Sequence, residues 1–224
     1  FLSEIKSFDD ERIVAFQNNN NGIIARNRNF GIMKSKGEFI AFCDDDDLWV
    51  ESKLEEQISL FDSNENLGLV YSKCSIFNNG SNKVQRISPK GSLYNGESFN
   101  KMIFIMNVPF STTLVRKSVF DKIGYFDEYR DLLAKEDKSF WIRLSSKYLI
   151  ASINRPLIYY RIHKKNTSDE NIWIHLRKNI FLFKNLYNKG VLTLPKLLFI
   201  AMPGLFIGLL YHSISNSIRI FFSK

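Results

Sequence analysis

Apolar and polar positions follow two alternating spacings along the first eighty residues, and these spacings predict strands and helices in turn. The predicted strands are apolar runs at residues 12–16, 39–43 and 68–77. Helical spacing of apolar residues predicts two helices between these strands, at residues 23–35 and 51–61. A β-α-β-α-β order of this kind predicts an α/β fold with a mainly parallel sheet covered by helices.

The first of these helices has a predicted inner face and a clear end. Gly37 is placed to end it before the strand at residues 39–43. Its predicted inner face is made of five residues, Ile23, Ile24, Asn27, Phe30 and Met33.

The rest of the chain is less regular, but it carries further elements. The predicted helices are at residues 95–106, 116–123, 136–144 and 169–189, and the predicted strands at residues 110–115, 148–153 and 157–161. We expect a main domain over residues 1–168 and a C-terminal helical region over residues 169–224.

An apolar run at residues 197–211 sets the C-terminal region apart. It is shorter than the roughly 20 apolar residues that a membrane span needs, and Pro203 and Gly204 interrupt it. Lysines precede it, so we predict a helix that dips into the cytoplasmic leaflet of a membrane. A helix buried on the domain or in a dimer, and a true span, are the alternatives.

The stretch around which the chain is organised is the apolar run 39–43 and the four aspartates that follow it at residues 44–47. Four adjacent carboxylates repel one another, and the carboxyl ends of strands in α/β sheets form ligand crevices. Mg²⁺ takes one or two carboxylates together with substrate phosphates. We therefore predict a metal-diphosphate site here, with a solvated acidic turn as the alternative.

Composition narrows the class of partner. The net charge of +8 suits an anionic partner such as a phosphate group or an acidic membrane surface. Lysines and arginines are scattered and no nucleic-acid motif is present, so we expect no nucleic-acid partner. Cys43 and Cys74 lie in apolar runs, which favours reduced, buried core residues of a cytosolic protein over a disulfide.

Several short motifs, in their order and spacing, resemble family 2 glycosyltransferases of the kind that build bacterial surface polysaccharides. They occupy residues 22–27, 37–42 with 44–47 and Trp49, 53–57, 124–128, Glu136 and Asp137 with Trp141 and Arg143, and 160–163. The resemblance covers roughly residues 1–168 and implies a GT-A-like three-layer α/β/α sandwich. The first residues resemble the helix that follows the second strand of such enzymes. The resemblance therefore implies that the first strands and the base-reading half of the donor site are missing, through truncation or because another chain supplies them.

The resemblance also implies a donor side. Asp44 and Asp46 match the Asp-x-Asp pair, with Asp46 as the preferred direct ligand of Mg²⁺ or Mn²⁺. Asp44 and Asp45 face the donor, and Arg26 and Asn27 lie close to its nucleotide. The alternatives are a solvated turn residue for Asp45 and a surface salt bridge for Arg26.

Three further residues receive roles in the same way. Asp137 matches the catalytic base, Glu136 orients it or touches the acceptor, and His163 lies near the metal or the diphosphate. The alternatives are a pair of acids that complement a helix dipole and a structural histidine. A base opposite the leaving group implies a single displacement with inversion.

The expected function is transfer of a hexosyl group from a nucleotide sugar to a saccharide or lipid-linked acceptor, at the cytoplasmic face of the bacterial plasma membrane. Two alternatives come from other classes. One is a nucleotidyltransferase, which would release pyrophosphate in place of a nucleoside diphosphate. The other is a catalytically incomplete fragment or subunit that binds a partner chain or a membrane.

Overall fold

The computed structural model describes residues 8–78, 81–162 and 171–207, which form seven helices and six strands. The helices are α1 (Ile24–Lys34), α2 (Lys53–Asp62), α3 (Phe99–Phe104), α4 (Ser118–Ile123), α5 (Glu136–Ser145), α6 (Ile172–Asn188) and α7, which starts at Leu194–Lys196, passes through a π turn at Leu197–Ala201 and continues to residue 207. Short 3-10 turns lie at Phe110–Thr112 and Arg130–Leu132.

The six strands form one sheet. They are β1 (Phe39–Ala41), β2 (Leu48–Trp49), β3 (Leu67–Asn78), β4 (Ser81–Ser88), β5 (Leu114–Arg116) and β6 (Leu149–Ile162), in the order β1-β5-β3-β6-β2 with β4 also paired to β3. β6 runs along one edge of β3, while β5 and β4 take successive parts of the other edge.

The α/β fold is confirmed, but the prediction of a mainly parallel sheet is only partly confirmed. Within the described residues, the β3–β6 pair is parallel and the longest, and the other four pairs are antiparallel. β1 and β3 run in the same direction, because each is antiparallel to β5, which lies between them. The β-α-β pattern thus correctly predicts that β1 and β3 run in the same direction. It does not predict that the three-residue strand β5 lies between them, so β1 and β3 do not pair directly.

Two local predictions differ from the structure. Residues 12–16 form no strand with any described segment, and Val14 and Phe16 stay largely exposed. The predicted strands at 148–153 and 157–161 are one strand, β6, whose register with β3 skips from Ile153 to Pro156. A bulge at this point accommodates a proline, which lacks the N–H that a regular ladder requires.

Aromatic side chains build the core that supports the end of β1. Phe42, Phe110, Phe126 and Trp141 lie within ring-contact distance of one another, and Phe140 packs on the same group. The same core buries Leu182, Phe183 and Leu186 of α6. Both cysteines are thiols; Cys74 is buried as predicted, whereas Cys43 is exposed.

α7 lies directly on α3. Ala201 and Leu205 are buried, and a Cβ on Gly204 would clash with the carbonyl oxygen of Phe104. The exposed apolar side chains of this helix are Leu198, Phe199, Met202, Phe206 and Ile207. Among the described residues, none of the helices combines the length and apolarity needed to cross a membrane.

Candidate active site

The four aspartates at residues 44–47, here called the acidic turn, leave the sheet just after β1. The Asp44 N–H donates to Ser111 Oγ over 3.0 Å, and the Asp47 N–H donates to the Asp44 carbonyl over 3.1 Å. These two bonds fold the turn back on itself, so the carboxylates of Asp44 and Asp46 come close enough for each to repel the other.

Asp47 is the buried member of the acidic turn and fixes it to β6. Its Oδ1 accepts the backbone N–H of Arg161 over 3.1 Å, and Arg161 Nε donates to the Asp46 carbonyl over 3.0 Å. Burial, aided by repulsion from Asp46 and Asp44, raises the pKa of Asp47 to about 6, although bonds from Ser111 and Arg161 act in the opposite sense. The role that this geometry supports for Asp47 is structural.

Arg28 of α1 connects the acidic turn to the start of α5. Its Nη1 lies 2.6 Å from Glu136 Oε1, and its Nη2 lies 3.5 Å from Asp44 Oδ1. The guanidinium stacks over Phe110 at 3.6 Å from the ring centroid. A planar cation held on an aromatic face in this way has a fixed direction for its two ion pairs.

Glu136 and Asp137 occupy the first turn of α5. Glu136 is buried, and burial together with the charge of Asp137 raises its pKa, while Arg28 lowers it. Burial also raises the pKa of Asp44, and Asp137 is close enough to add to that rise. The structure therefore joins Asp44 to Glu136 through Arg28, and the charges of Asp46 and Asp137 both reach Asp44.

Arg26 and Asn27, predicted for the donor side, lie elsewhere on α1. Arg26 Nε is 3.3 Å from Glu128 Oε2, and the exposed Asn27 accepts a hydrogen bond from Asn18 over 3.2 Å. No contact between either side chain and the acidic turn is seen in the part of the chain that the structure describes. Their role at the donor stays a prediction, whereas Arg28 is the α1 arginine that contacts the acidic turn.

The predicted inner face of α1 is wrong for most of its members, and this explains why Arg28 was missed. Ile23 is buried as predicted, but Ile24, Asn27 and Met33 are exposed. The helix buries Ala25, Asn29 and Ile32, and Asn29 exchanges two hydrogen bonds with the backbone of Phe126. The spacing of Ala25 and Ile32 is a signal that sequence reasoning could have used. It places residue 28 at the edge of the inward face.

The residues fit a divalent cation bound mainly by substrate. Within the described residues, no three histidine, cysteine, aspartate or glutamate side chains converge as a metal site. Mg²⁺ needs only one or two carboxylates when phosphates and water complete its shell, and Asp44 with Asp46 satisfies that number. Asp45 is exposed, and His163 lies outside the described residues.

An α/β sheet whose strand ends in an acidic turn, faced by a second carboxylate pair, is the arrangement of an enzyme-like site. Residues 1–124, more than half of the chain, match the profile of glycosyl transferase family 2. The chain belongs to this family.

Curated relatives agree with this assignment. An uncharacterized glycosyltransferase of Rickettsia bellii is 30% identical over 203 residues, which are 86% of this chain and 26% of the relative. WfgD of Escherichia coli, a UDP-Glc:alpha-D-GlcNAc-diphosphoundecaprenol beta-1,3-glucosyltransferase, is 30% identical over 167 residues, 74% of this chain and 62% of WfgD. The chain thus spans between about a quarter and three fifths of the length of these two relatives.

A solved structure supports the fold. TarS 1–349 of S. aureus, crystallised in complex with UDP-GlcNAc, aligns with a TM-score of 0.60 and 15% identity, covering 84% of this chain and 54% of that 1–349 chain. This likeness shows the GT-A-like fold alone.

Proposed function

We propose that this chain carries the catalytic centre of an inverting glycosyltransferase, which moves a sugar from a nucleotide-sugar donor to a saccharide or lipid-linked acceptor in surface polysaccharide synthesis. The observation that carries the proposal is that Arg28 joins Asp44 to Glu136, with Asp46 and Asp137 close enough for their charges to act on Asp44. TarS binds UDP-GlcNAc, and the name of WfgD specifies a UDP-sugar donor and a lipid diphosphate acceptor, which favours the same classes of substrate here.

Asp137 is the base of the proposed reaction. An acceptor hydroxyl attacks the anomeric carbon, and its proton passes to the Asp137 carboxylate as the bond to the oxygen of the donor diphosphate breaks. The electron pair leaves with the nucleoside diphosphate. Because the hydroxyl attacks from the face opposite the leaving group, the anomeric configuration inverts. Glu136 is buried and paired with Arg28, which fixes the start of α5 and the direction of Asp137.

Asp44 and Asp46 would hold Mg²⁺ or Mn²⁺, with Asp46 as the direct ligand and Asp45 towards the donor. A divalent cation supplies positive charge to a departing diphosphate. Arg28 lies at hydrogen-bonding reach of this region and adds a second, permanent positive charge.

We place the enzyme at the inner face of the plasma membrane, with α7 as its contact. The exposed Phe199, Met202 and Phe206 are at helical spacing on one side of α7, while Ala201 and Leu205 attach the opposite side to the domain. An apolar helix held this way would bring the catalytic centre to a lipid-linked acceptor.

The test is product analysis with the protein expressed from its complete gene. With a nucleotide-sugar donor, a suitable acceptor and Mg²⁺ or Mn²⁺, we expect a nucleoside diphosphate and a product of inverted anomeric configuration by NMR. Asp46→Asn should abolish the stimulation of transfer by the divalent cation. Asp62→Asn, which changes an exposed aspartate at the end of α2, should leave that stimulation intact. Release of pyrophosphate, or retention of configuration, would contradict the proposal.

A further inference from the structure

Two lysines and a histidine lie beside the proposed base, where α5 packs on α6. Lys135 precedes α5 and places its Nζ 3.4 Å from His175 Nδ1. Lys138, in the first turn of α5, places its Nζ 3.4 Å from Asn179 Oδ1. Because His175 and Asn179 are one turn apart on α6, the two lysines lie side by side on the same face of that helix. We call Lys135, Lys138 and His175 the cationic cluster.

Lys138 is held there under unfavourable electrostatic conditions. Burial, reinforced by repulsion from Lys135, lowers the pKa of Lys138 to about 8, although Asp137 acts in the opposite sense. No carboxylate within residues 8–78, 81–162 and 171–207 forms an ion pair with it, and its polar neighbour Asn179 is neutral. Its ammonium also lies 5.4 Å from the ring of Phe183. Two neighbouring ammonium groups, one of them desolvated, are stabilised when an anion binds between them.

The position of the cluster separates it from the donor side. Lys135 and Lys138 flank the Glu136–Asp137 pair in sequence and point towards α6, whereas the carboxylates expected to hold the donor diphosphate belong to the acidic turn after β1. An anion in the cluster would therefore lie near the base, on the side of α5 that faces α6.

We propose that the cationic cluster binds the diphosphate of a lipid-linked acceptor. The proposal rests on the function proposed above, since it requires Asp137 to act on an acceptor hydroxyl. In a sugar diphosphate lipid, the diphosphate is one sugar ring away from the hydroxyls, which matches a cluster adjacent to the base. A diphosphate bears several negative charges and presents oxygens that two lysines and a histidine can share.

The test is calorimetric titration of the purified protein with geranyl diphosphate, in the presence of excess UDP to occupy any donor site. We expect binding to persist under UDP, and geraniol not to bind. Lys138→Gln should weaken the affinity about tenfold or more, as expected when one charged partner of a partly buried contact is removed, and Lys138→Arg should retain most of it. Lys135→Gln serves as an independent second variant, and Lys184→Gln, an exposed lysine on α6, is the control with the same charge change.

Three outcomes would overturn the proposal. The first is displacement of geranyl diphosphate by UDP, which would assign the binding to the donor site. The second is unchanged affinity in both the Lys135→Gln and the Lys138→Gln proteins. The third is that these variants lose binding to phosphatidylglycerol vesicles without losing geranyl diphosphate binding, which would make the cluster a membrane contact. A protein that binds geranyl diphosphate as expected but releases no nucleoside diphosphate from any donor would contradict the proposed function and leave the diphosphate site standing.

Discussion

Substituting Arg28 with methionine tests the contact that joins the two carboxylate groups. The ion pair with Glu136 is buried, with side chains 15% and 5% exposed. Removing one partner of a buried pair leaves the other charge uncompensated and costs about 3–5 kcal/mol. Because Arg28 keeps some exposure and methionine preserves contact with Phe110, we expect the lower end, about 3 kcal/mol, or a fall in Tm of roughly 6–12 °C.

The stability lost in Arg28→Met should increase as the pH rises towards neutral. Burial raises the pKa of Glu136, and Arg28 opposes that rise, so Arg28→Met should raise the pKa further. A carboxyl whose pKa is raised on folding contributes stability that is present below its unfolded pKa and lost as the pH rises through its folded pKa. The variant should therefore be most impaired at neutral pH and recover towards wild type as Glu136 becomes protonated.

The assay is denaturant unfolding of a double-mutant cycle with Glu136→Gln. In the Glu136→Gln background, where the buried charge is already removed, the Arg28 substitution should cost only about 1 kcal/mol, which gives a coupling of about 2 kcal/mol. The control is Arg177→Met, because Arg177 pairs with Asp131 on the surface at 77% exposure. Such pairs contribute about 0–1 kcal/mol. Additive effects in the cycle, or equal losses in the Arg28 and Arg177 variants, would refute the reasoning.

Three further predictions concern the acidic turn and α7. Because folding raises the pKa of Asp47 to about 6, the unfolding free energy of wild type should fall by about 2 kcal/mol as the pH rises from about 4 to about 6. Asp47→Asn should remove this fall, as measured by the difference in unfolding free energy between the two pH values. Gly204→Ala should separate α7 from Phe104 and speed its amide exchange, whereas Gly31→Ala, with open space around it, should stabilise α1 by about 0.5–1 kcal/mol. Phe206→Ser should weaken cosedimentation with phosphatidylglycerol vesicles without lowering Tm, and unchanged cosedimentation would contradict the membrane contact.

The acidic turn could be predicted because its signal is local. An apolar run followed by four aspartates specifies a strand and a charged turn at its end, and the structure has β1 and the turn in those places. The first turn of α5 was also predictable, since acids followed by helical spacing of apolar residues mark a helix start.

The orientation of α1 could not be predicted from hydropathy because a tertiary contact determines it. Asn29 is polar but buried, since it bonds to the backbone of Phe126, 97 residues away. That contact turns Ile24 and Met33 outwards and brings Arg28 to the site. The insertion of β5 between β1 and β3 escaped prediction for a similar reason: three residues carry too little periodicity to define a strand partner.

The central claim is that Asp137 takes the proton of the acceptor at a site shared with Asp44. Its most direct test is single-turnover transfer by Asp137→Asn, compared with Asp121→Asn, an exposed aspartate on α4. The account predicts that Asp137→Asn lowers the rate of transfer by about 10²–10⁴ and leaves donor affinity nearly unchanged, while Asp121→Asn behaves as wild type. Transfer by Asp137→Asn at a rate close to wild type would contradict it.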